Sequence, residues 1–220
     1  MTLELLQMTI FTLAVALAAT ASLLVPGTLL AWIFARTEFS GKALLETVVS
    51  LPLVMPPVAT GLILLWVFGT RGPLGGLGFE IIFTWKAVVL AMAVMGLPLL
   101  VRTARPGFEQ VPRRYELMAE SLGAGRLRVF RTVTLPLAIR SVIGGALLAF
   151  SRALGEFGAT VVVAGSIPGR TLTLPVAIYT ATETGQDRRA ATLLAISVGM
   201  AFAAVWISNR LVYATSRNPS

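Results

Sequence analysis

Apolar and polar positions divide this chain into long uncharged runs separated by short charged joints. Residues 5–35 carry no charge. As one helix they would reach about 46 Å, more than the hydrocarbon core of a bilayer, so a tilted or kinked crossing is predicted. Pro26 and Gly27 mark the expected kink. A short basic joint, residues 36–42, follows. Residues 43–69 predict a second crossing, interrupted by Pro52, Pro56 and Pro57. Carbonyls freed by proline in mid-membrane are tolerated only where neighbours or a water-filled path satisfy them. Residues 70–84, with Gly72, Pro73, Gly75 and Gly76, predict an irregular loop. A third crossing spans residues 85–101, opening on Trp85 and Lys86, which suit an interface, and closing at Arg102 and Arg105. A fourth spans residues 138–165. Residues 171–182 are apolar but too few to cross comfortably, which predicts a short surface or re-entrant helix. Residues 190–209 form the last crossing. Its small residues Ala190, Ala191, Ala195, Ser197, Gly199, Ala201, Ala203 and Ala204 are expected to permit close helix packing. A short polar tail, residues 210–220, ends the chain.

One long polar stretch stands apart. Residues 112–136 read PRRYELMAESLGAGRLRVFRTVTLP. Pro112 suits the first helical position and Gly123 the position just past a helix end. Between them Tyr115, Met118, Ala119 and Leu122 share a face at i, i+3, i+4 and i+7, while Arg113, Glu116 and Glu120 lie largely off it. A second helical stretch begins after Gly123, Ala124 and Gly125. Arg126, Arg128 and Arg131 make it basic, and Leu135–Pro136 predicts a bend into the fourth crossing. The plain reading is a loop made basic by the positive-inside rule. That reading explains the arginines but not a helix with start and stop signals.

Composition agrees with a membrane domain. Of 220 residues, 56% are hydrophobic, and the mean hydropathy is +0.83. Such values lie above those of ordinary soluble domains, and residues 1–220 are expected to form one transmembrane domain. The opening residues lack a basic region and lead into an apolar run too long for a cleavable signal peptide. The net charge of +8 belongs with loops facing anionic lipid rather than with nucleic acid.

Candidate chemistry is sparse. The chain has no cysteine and no histidine, which excludes disulfides, thiolate nucleophiles, histidine metal sites and the commonest general base. No catalytic residues and no metal ligands are predicted. Ser40, Gly41 and Lys42 lack the upstream glycine of a phosphate-binding loop. Two features inside the apolar runs bear on transport. Pro56, Pro57 and Gly61 either kink a packed helix or bend it along a pathway. Arg152 and Glu156, four residues apart near the middle of the fourth run, predict an ion pair on one helix face. It either fastens helices or sits at a pore or gate, where Arg152 could assist an anion.

Orientation follows from the basic residues. With the 112–136 stretch in the cytoplasm, five crossings leave the N-terminus outside and the C-terminus inside. Twelve basic residues then lie inside, Arg217 among them, and five outside, namely Arg71, Lys86, Arg170, Arg188 and Arg189. If residues 171–182 also crossed, there would be six crossings and the C-terminus would lie outside.

Residues 112–136 resemble the motif of membrane subunits of bacterial ABC importers: Glu-Ala-Ala, three residues, Gly, nine residues, Ile, one residue, Leu-Pro. Set on Gly123, the match places Val133 at Ile and keeps Leu135–Pro136. Leu117, Met118 and Ala119 stand where Glu-Ala-Ala is usual. Only Ala119 is retained, and Glu116 falls one place early, so the resemblance assigns no salt bridge to the usual Glu position. Residues 151–159 (SRALGEFGA), 165–170 (GSIPGR) and Leu174–Pro175 resemble the oxyanion branch, in particular the molybdate permeases, with tungstate and sulfate permeases similar. The resemblance covers about residues 10–213.

It implies an all-α polytopic protein with the type I ABC importer permease fold, five or six long transmembrane helices and a cytoplasmic coupling helix in the loop at about 103–137. It also implies a multi-pass subunit of the bacterial inner membrane, acting as a homodimer with two cytoplasmic ATPase subunits and a periplasmic oxyanion-binding protein. ATP and Mg would be bound by the ATPase and no cofactor by this chain. Arg113, Tyr115, Glu116, Leu117, Met118, Ala119, Leu122, Gly123 and Ala124 are the residues expected at the ATPase, with Arg113 and Glu116 as rim charges. Pro56, Pro57, Gly61, Arg152 and Glu156 are expected at the pathway or gate. The rival readings are a secondary transporter or channel for a small anion without an ATPase, and a scaffold with no pathway of its own.

Overall fold

The fold is described from a computed structural model covering residues 2–75 and 80–216. Gly76, in the predicted loop, and Arg217, in the charge count, lie outside the described residues. No strand occurs among the described residues.

The long uncharged run at the start forms α1, Thr2–Arg36, which continues unbroken through Pro26. The proline-broken second run divides outright. α2, Lys42–Val54, and α3, Pro57–Phe68, meet at a 118° bend. Proline at 57 excludes the helical region for the residue before it, and Pro56 takes φ −54°, ψ 132°. Pro57 then opens α3, where a missing N–H costs nothing. α4, Trp85–Glu109, is capped by the Thr84 hydroxyl, which accepts from the Lys86 N–H at 3.2 Å. It runs past Arg102 and Arg105, eight residues beyond the predicted end.

α5, Arg113–Ser121, is the short helix expected in the polar stretch. α6, Arg126–Val129, passes through a π-helical turn, Phe130–Thr134, into α7, Leu135–Leu154. No bend separates them, contrary to the expectation at Leu135–Pro136. The Leu135 N–H reaches back five residues to the Phe130 carbonyl. A widened turn of this kind accommodates Pro136, which has no N–H to donate. The fourth run ends early, at Leu154, and resumes as α8, Gly158–Ala164. α9, Leu174–Glu183, is a ten-residue helix, and α10 is Asp187–Ser216. The predicted polar tail is therefore helical as far as residue 216.

Among the described residues four helices are long and apolar enough to cross a membrane, and the bent pair α2–α3 makes five if counted as one broken span. The expectation of five or six is high at its upper end. α9, at roughly 15 Å, is too short to be the sixth.

α1, α4 and α7 form the centre. Lipid offers helices little hydrophobic drive to associate, so small residues that let backbones approach carry the packing. A Cβ on Gly96 would lie 3.1 Å from Leu23 and 3.3 Å from Ala149. One on Gly145 would lie 2.9 Å from the Leu100 carbonyl oxygen. Close packing was expected along α10 instead. There Leu193 is buried, but Gly199 meets nothing within 4 Å and Ala191, Ala195, Ala201 and Ala203 are exposed. Of that stripe, Ala190 and Ala204 pack against the core, and the exposed members are unused within the chain.

α9 docks by a borrowed cap. Its Leu174 N–H donates to the buried Thr12 hydroxyl of α1 at 3.0 Å, and that hydroxyl donates to the Met8 carbonyl at 2.8 Å. Thr12→Val keeps the shape and removes both bonds. It is expected to lower stability by about 1–2 kcal/mol, read as a reduced thermal midpoint in detergent. An unchanged midpoint would mean that water replaces the cap.

Candidate functional site

Two regions gather the residues that the sequence singled out. The first is the meeting of two helix breaks. Pro56 and Pro57 sit in the break between α2 and α3, and Gly155–Phe157 form the break between α7 and α8. The breaks face each other. A Cβ on Gly158 would lie 2.7 Å from the Pro57 ring, and one on Gly61 would lie 2.9 Å from the Ala159 backbone. α3 and α8 thus run in backbone contact, which only glycine at these two positions permits. Pro57 and Gly61 come together here with Glu156, Gly158 and Ala159.

Arg152 and Glu156 pair as expected, but not on one continuous helix. Arg152 is in the last turn of α7, and Glu156 lies beyond the helix end, completely buried. The Glu156 Oε2 is 2.6 Å from the Arg152 Nη2. Its Oε1 accepts from the Ala159 N–H at 2.8 Å. The carboxylate therefore serves two ends at once: it neutralises a guanidinium and satisfies an orphan N–H at the start of α8. Ion pairing of this kind is what makes a charge at such depth tolerable. The Arg152 side chain remains 29% exposed. The hydroxyls of Thr60 and Thr160, on the helices that flank the breaks, are buried with no hydrogen-bond partner. Gly158 was not singled out, although it follows Phe157 within the recognised 151–159 stretch.

The second region is α5. Pro112 is the residue before the helix (φ −64°, ψ 124°), not its first residue as predicted, because its extended ψ directs the chain into Arg113. At the other end Gly123 takes φ +84°. The Gly123 N–H donates to the Glu120 carbonyl at 2.9 Å and the Ala124 N–H to the Ala119 carbonyl at 3.1 Å. This pair of bonds closes a helix with a left-handed glycine and leaves few carbonyls free. No residue of α5 is buried. Tyr115, Leu117, Met118 and Leu122 are exposed, Leu122 at 88%, while Ala119 and Ala124 are half-buried. α5 is thus a short helix, bounded at both ends, that leaves its large apolar side chains exposed.

Glu116 departs from its expected place. Instead of standing on the rim it turns inward, 16% exposed, and pairs with Arg36 Nη2 of α1 at 3.2 Å. The same Oε1 accepts from the Thr134 hydroxyl at 2.6 Å. Arg36 also donates to the Val111 carbonyl at 2.7 Å. Arg113 remains exposed and reaches the Arg36 carbonyl at 3.3 Å. Sequence reasoning counted Arg36 only as a loop charge and did not single out Thr134. Their separation from Glu116 along the chain, in two other helical elements, left no local signal.

Residues 27–215 match the family described as binding-protein-dependent transport system inner membrane component. The chain belongs to this family. The permease is 47% identical over 191 residues to the molybdenum transport system permease protein ModB of Escherichia coli K12, covering 84% of this chain and 83% of that one. It is 40% identical over 193 residues to ModB of Haemophilus influenzae, covering 82% and 83%. The sulfate transport system permease protein CysT of Salmonella typhimurium is 38% identical over 157 residues, covering 70% of this chain and 57% of that one.

Among solved structures, the permease resembles the inward-facing MetNI methionine ABC transporter with a TM-score of 0.73 at 18% identity, covering 99% of this chain and 98% of that one. An amino acid ABC transporter with histidines follows at a TM-score of 0.67 and 18% identity, covering 97% and 94%. At such identity the likeness concerns the fold, which is that of a type I ABC importer permease. The permease is accordingly a multi-pass inner-membrane subunit of a binding-protein-dependent transport system.

Proposed function

We propose that this permease is the channel-forming subunit of an ATP-driven oxyanion importer, with molybdate as the transported anion. The observation that carries the coupling half of this reading is α5. It is rigid at both ends and exposes Tyr115, Leu117, Met118 and Leu122. An ATPase that grips this helix differently in its two nucleotide states would bias the permease between outward- and inward-facing forms. Arg113, Ala119, Gly123 and Ala124 complete the contact. ATP and Mg belong to that partner. The identity to the molybdenum permeases supports the choice of anion.

Two copies of the chain, two ATPase subunits and a periplasmic oxyanion-binding protein make the working assembly. The N-terminus faces the periplasm and the C-terminus the cytoplasm. The pathway runs between the two copies, beside the junction of Pro56, Pro57 and Gly61 with Arg152 and Glu156. Arg152, half-neutralised by Glu156, favours an anion in passage without trapping it, because a fully unpaired guanidinium in a dry site would bind too tightly for release.

The test is ATP hydrolysis in liposomes by the permease co-expressed with its ATPase, with and without binding protein and molybdate. Gly123→Pro is run beside it. Proline cannot adopt φ +84° and removes the N–H that donates to Glu120. Molybdate-stimulated hydrolysis in the wild type, lost in an assembled variant, is the expected result. Normal uptake by the variant, or failure of any ATPase to co-purify with the wild type, would make the chain a carrier without ATP coupling.

A further inference from the structure

The inward turn of Glu116 raises a question that the exposed face of α5 does not answer: what fastens this helix to the membrane domain? Its large apolar side chains point outward and none of its residues is fully buried. Packing therefore contributes little. Of the linkers on either side, residues 110–112 are held by Val111, which is buried in the cluster of Phe34, Phe108 and Phe130, whereas residues 122–125 place no buried side chain in the core. Within α5 itself the polar fastening falls on one carboxylate. The Glu116 Oε1 meets Arg36, the last residue of α1, and Thr134, the last residue of the π turn that leads into α7. Arg36 in turn holds the Val111 carbonyl, immediately before α5, and its own carbonyl takes Arg113. Side-chain exposures of 11% for Arg36 and 16% for Glu116 keep the pair largely out of water, where a charge-assisted contact is stronger than on an open surface.

We infer that Arg36, Glu116 and Thr134 are positioning residues forming a transmission joint: they lock α5 to α1 and α7, so that a push on α5 moves the membrane helices instead of swinging the loop. The π turn contributes to the geometry. Phe130, at its start, is wedged against Trp32 of α1 with ring centres 5.0 Å apart, which fixes the turn on the same helix that supplies Arg36. A displacement of α5 is thereby shared between α1 and α7, the two helices that pack most extensively on α4. Without the joint, the short linkers would absorb the displacement.

The inference rests on the ATP-coupled reading and is tested in the reconstituted complex of permease, ATPase and binding protein. The quantity measured is ATP consumed per molybdate taken up. Arg36→Met and Glu116→Ala are each expected to raise it about tenfold while the ATPase co-purifies at wild-type stoichiometry. The double variant is expected to be no worse than either single one, because both remove the same joint. Thr134→Val, which removes only a hydroxyl, is expected to raise the ratio about twofold to threefold and guards against misfolding of the others. A purely structural role would lower assembly and leave the ratio unchanged in whatever complex formed, which would overturn the joint. So would an impaired Glu116→Ala beside a normal Arg36→Met, since Glu116 would then act on the ATPase directly. If the other variants fail to assemble and Thr134→Val keeps the wild-type ratio, the joint is likewise overturned. A wild-type complex without molybdate-stimulated hydrolysis would overturn the importer reading itself, and the joint with it.

Discussion

Glu156→Ala is expected to destabilise this permease by about 3–5 kcal/mol, the cost of breaking a buried ion pair by deleting one partner. The carboxylate is completely buried and holds Arg152 at 2.6 Å and the Ala159 N–H at 2.8 Å. Its loss strands a guanidinium and an orphan donor in the break between α7 and α8. The damage should spread, because the same break abuts Pro57 and the α2–α3 bend. Thermal unfolding of the detergent-solubilised protein measures the loss. Arg152→Met in the Glu156→Ala background should recover part of it, since an apolar pair costs less than a lone charge. Equal midpoints for wild type and Glu156→Ala would show that water enters the break and that the pair is not structural. The double variant separates stability from transport. If it folds well yet takes up molybdate poorly, Arg152 serves the anion as well as the fold.

The second large effect concerns two adjacent glycines in α7. Gly145→Ala is expected to lower stability by about 1–3 kcal/mol, because its Cβ would lie 2.9 Å from the Leu100 carbonyl oxygen and 3.1 Å from the Leu100 Cα. Those are backbone atoms of α4 and cannot turn aside, so α4 and α7 must part. Gly144→Ala, one residue earlier, meets only a Thr103 methyl at 3.9 Å. There the alanine should be neutral or stabilising by about 0.5–1 kcal/mol, because glycine in a helix interior is entropically costly. The opposite signs are the diagnostic result, read as thermal midpoints of the two variants. Matching midpoints would mean that α4 and α7 are not in backbone contact at this level.

Coverage of α5 separates the two regions in kind. The break junction is filled from within the chain: glycine against proline, carboxylate against guanidinium. α5 is not. Its large apolar residues Tyr115, Leu117 and Met118 are exposed, while Ala119 and the Glu116 carboxylate are turned partly inward.

Much of this was legible in the sequence because the signals are local. Uncharged runs bounded by arginine and lysine mark crossings whatever packs against them, since a bilayer tests each segment separately. Pro112 and Gly123 bracket α5 because proline and glycine restrict or free their own backbone, and Gly123 takes the left-handed conformation its position called for. The pairing of Arg152 with Glu156 was likewise determined by depth and spacing. What the tertiary structure alone decided is how breaks and neighbours are used. Three prolines in the second run announced a disruption, and Pro57 turns the chain at Pro56, but that α8 packs against the resulting 118° bend is not written in that run. The fourth run looked continuous because the Gly155–Phe157 break contains no proline, and a buried carboxylate capping α8 is visible only in three dimensions. Small residues predicted close packing in α10, yet the glycines pressed against neighbours lie elsewhere, Gly96, Gly107 and Gly145 among them. Small side chains permit approach without choosing a partner. Glu116 meets Thr134 across 18 residues and Arg36 across many more, and contacts between separate elements leave no periodic trace in the chain.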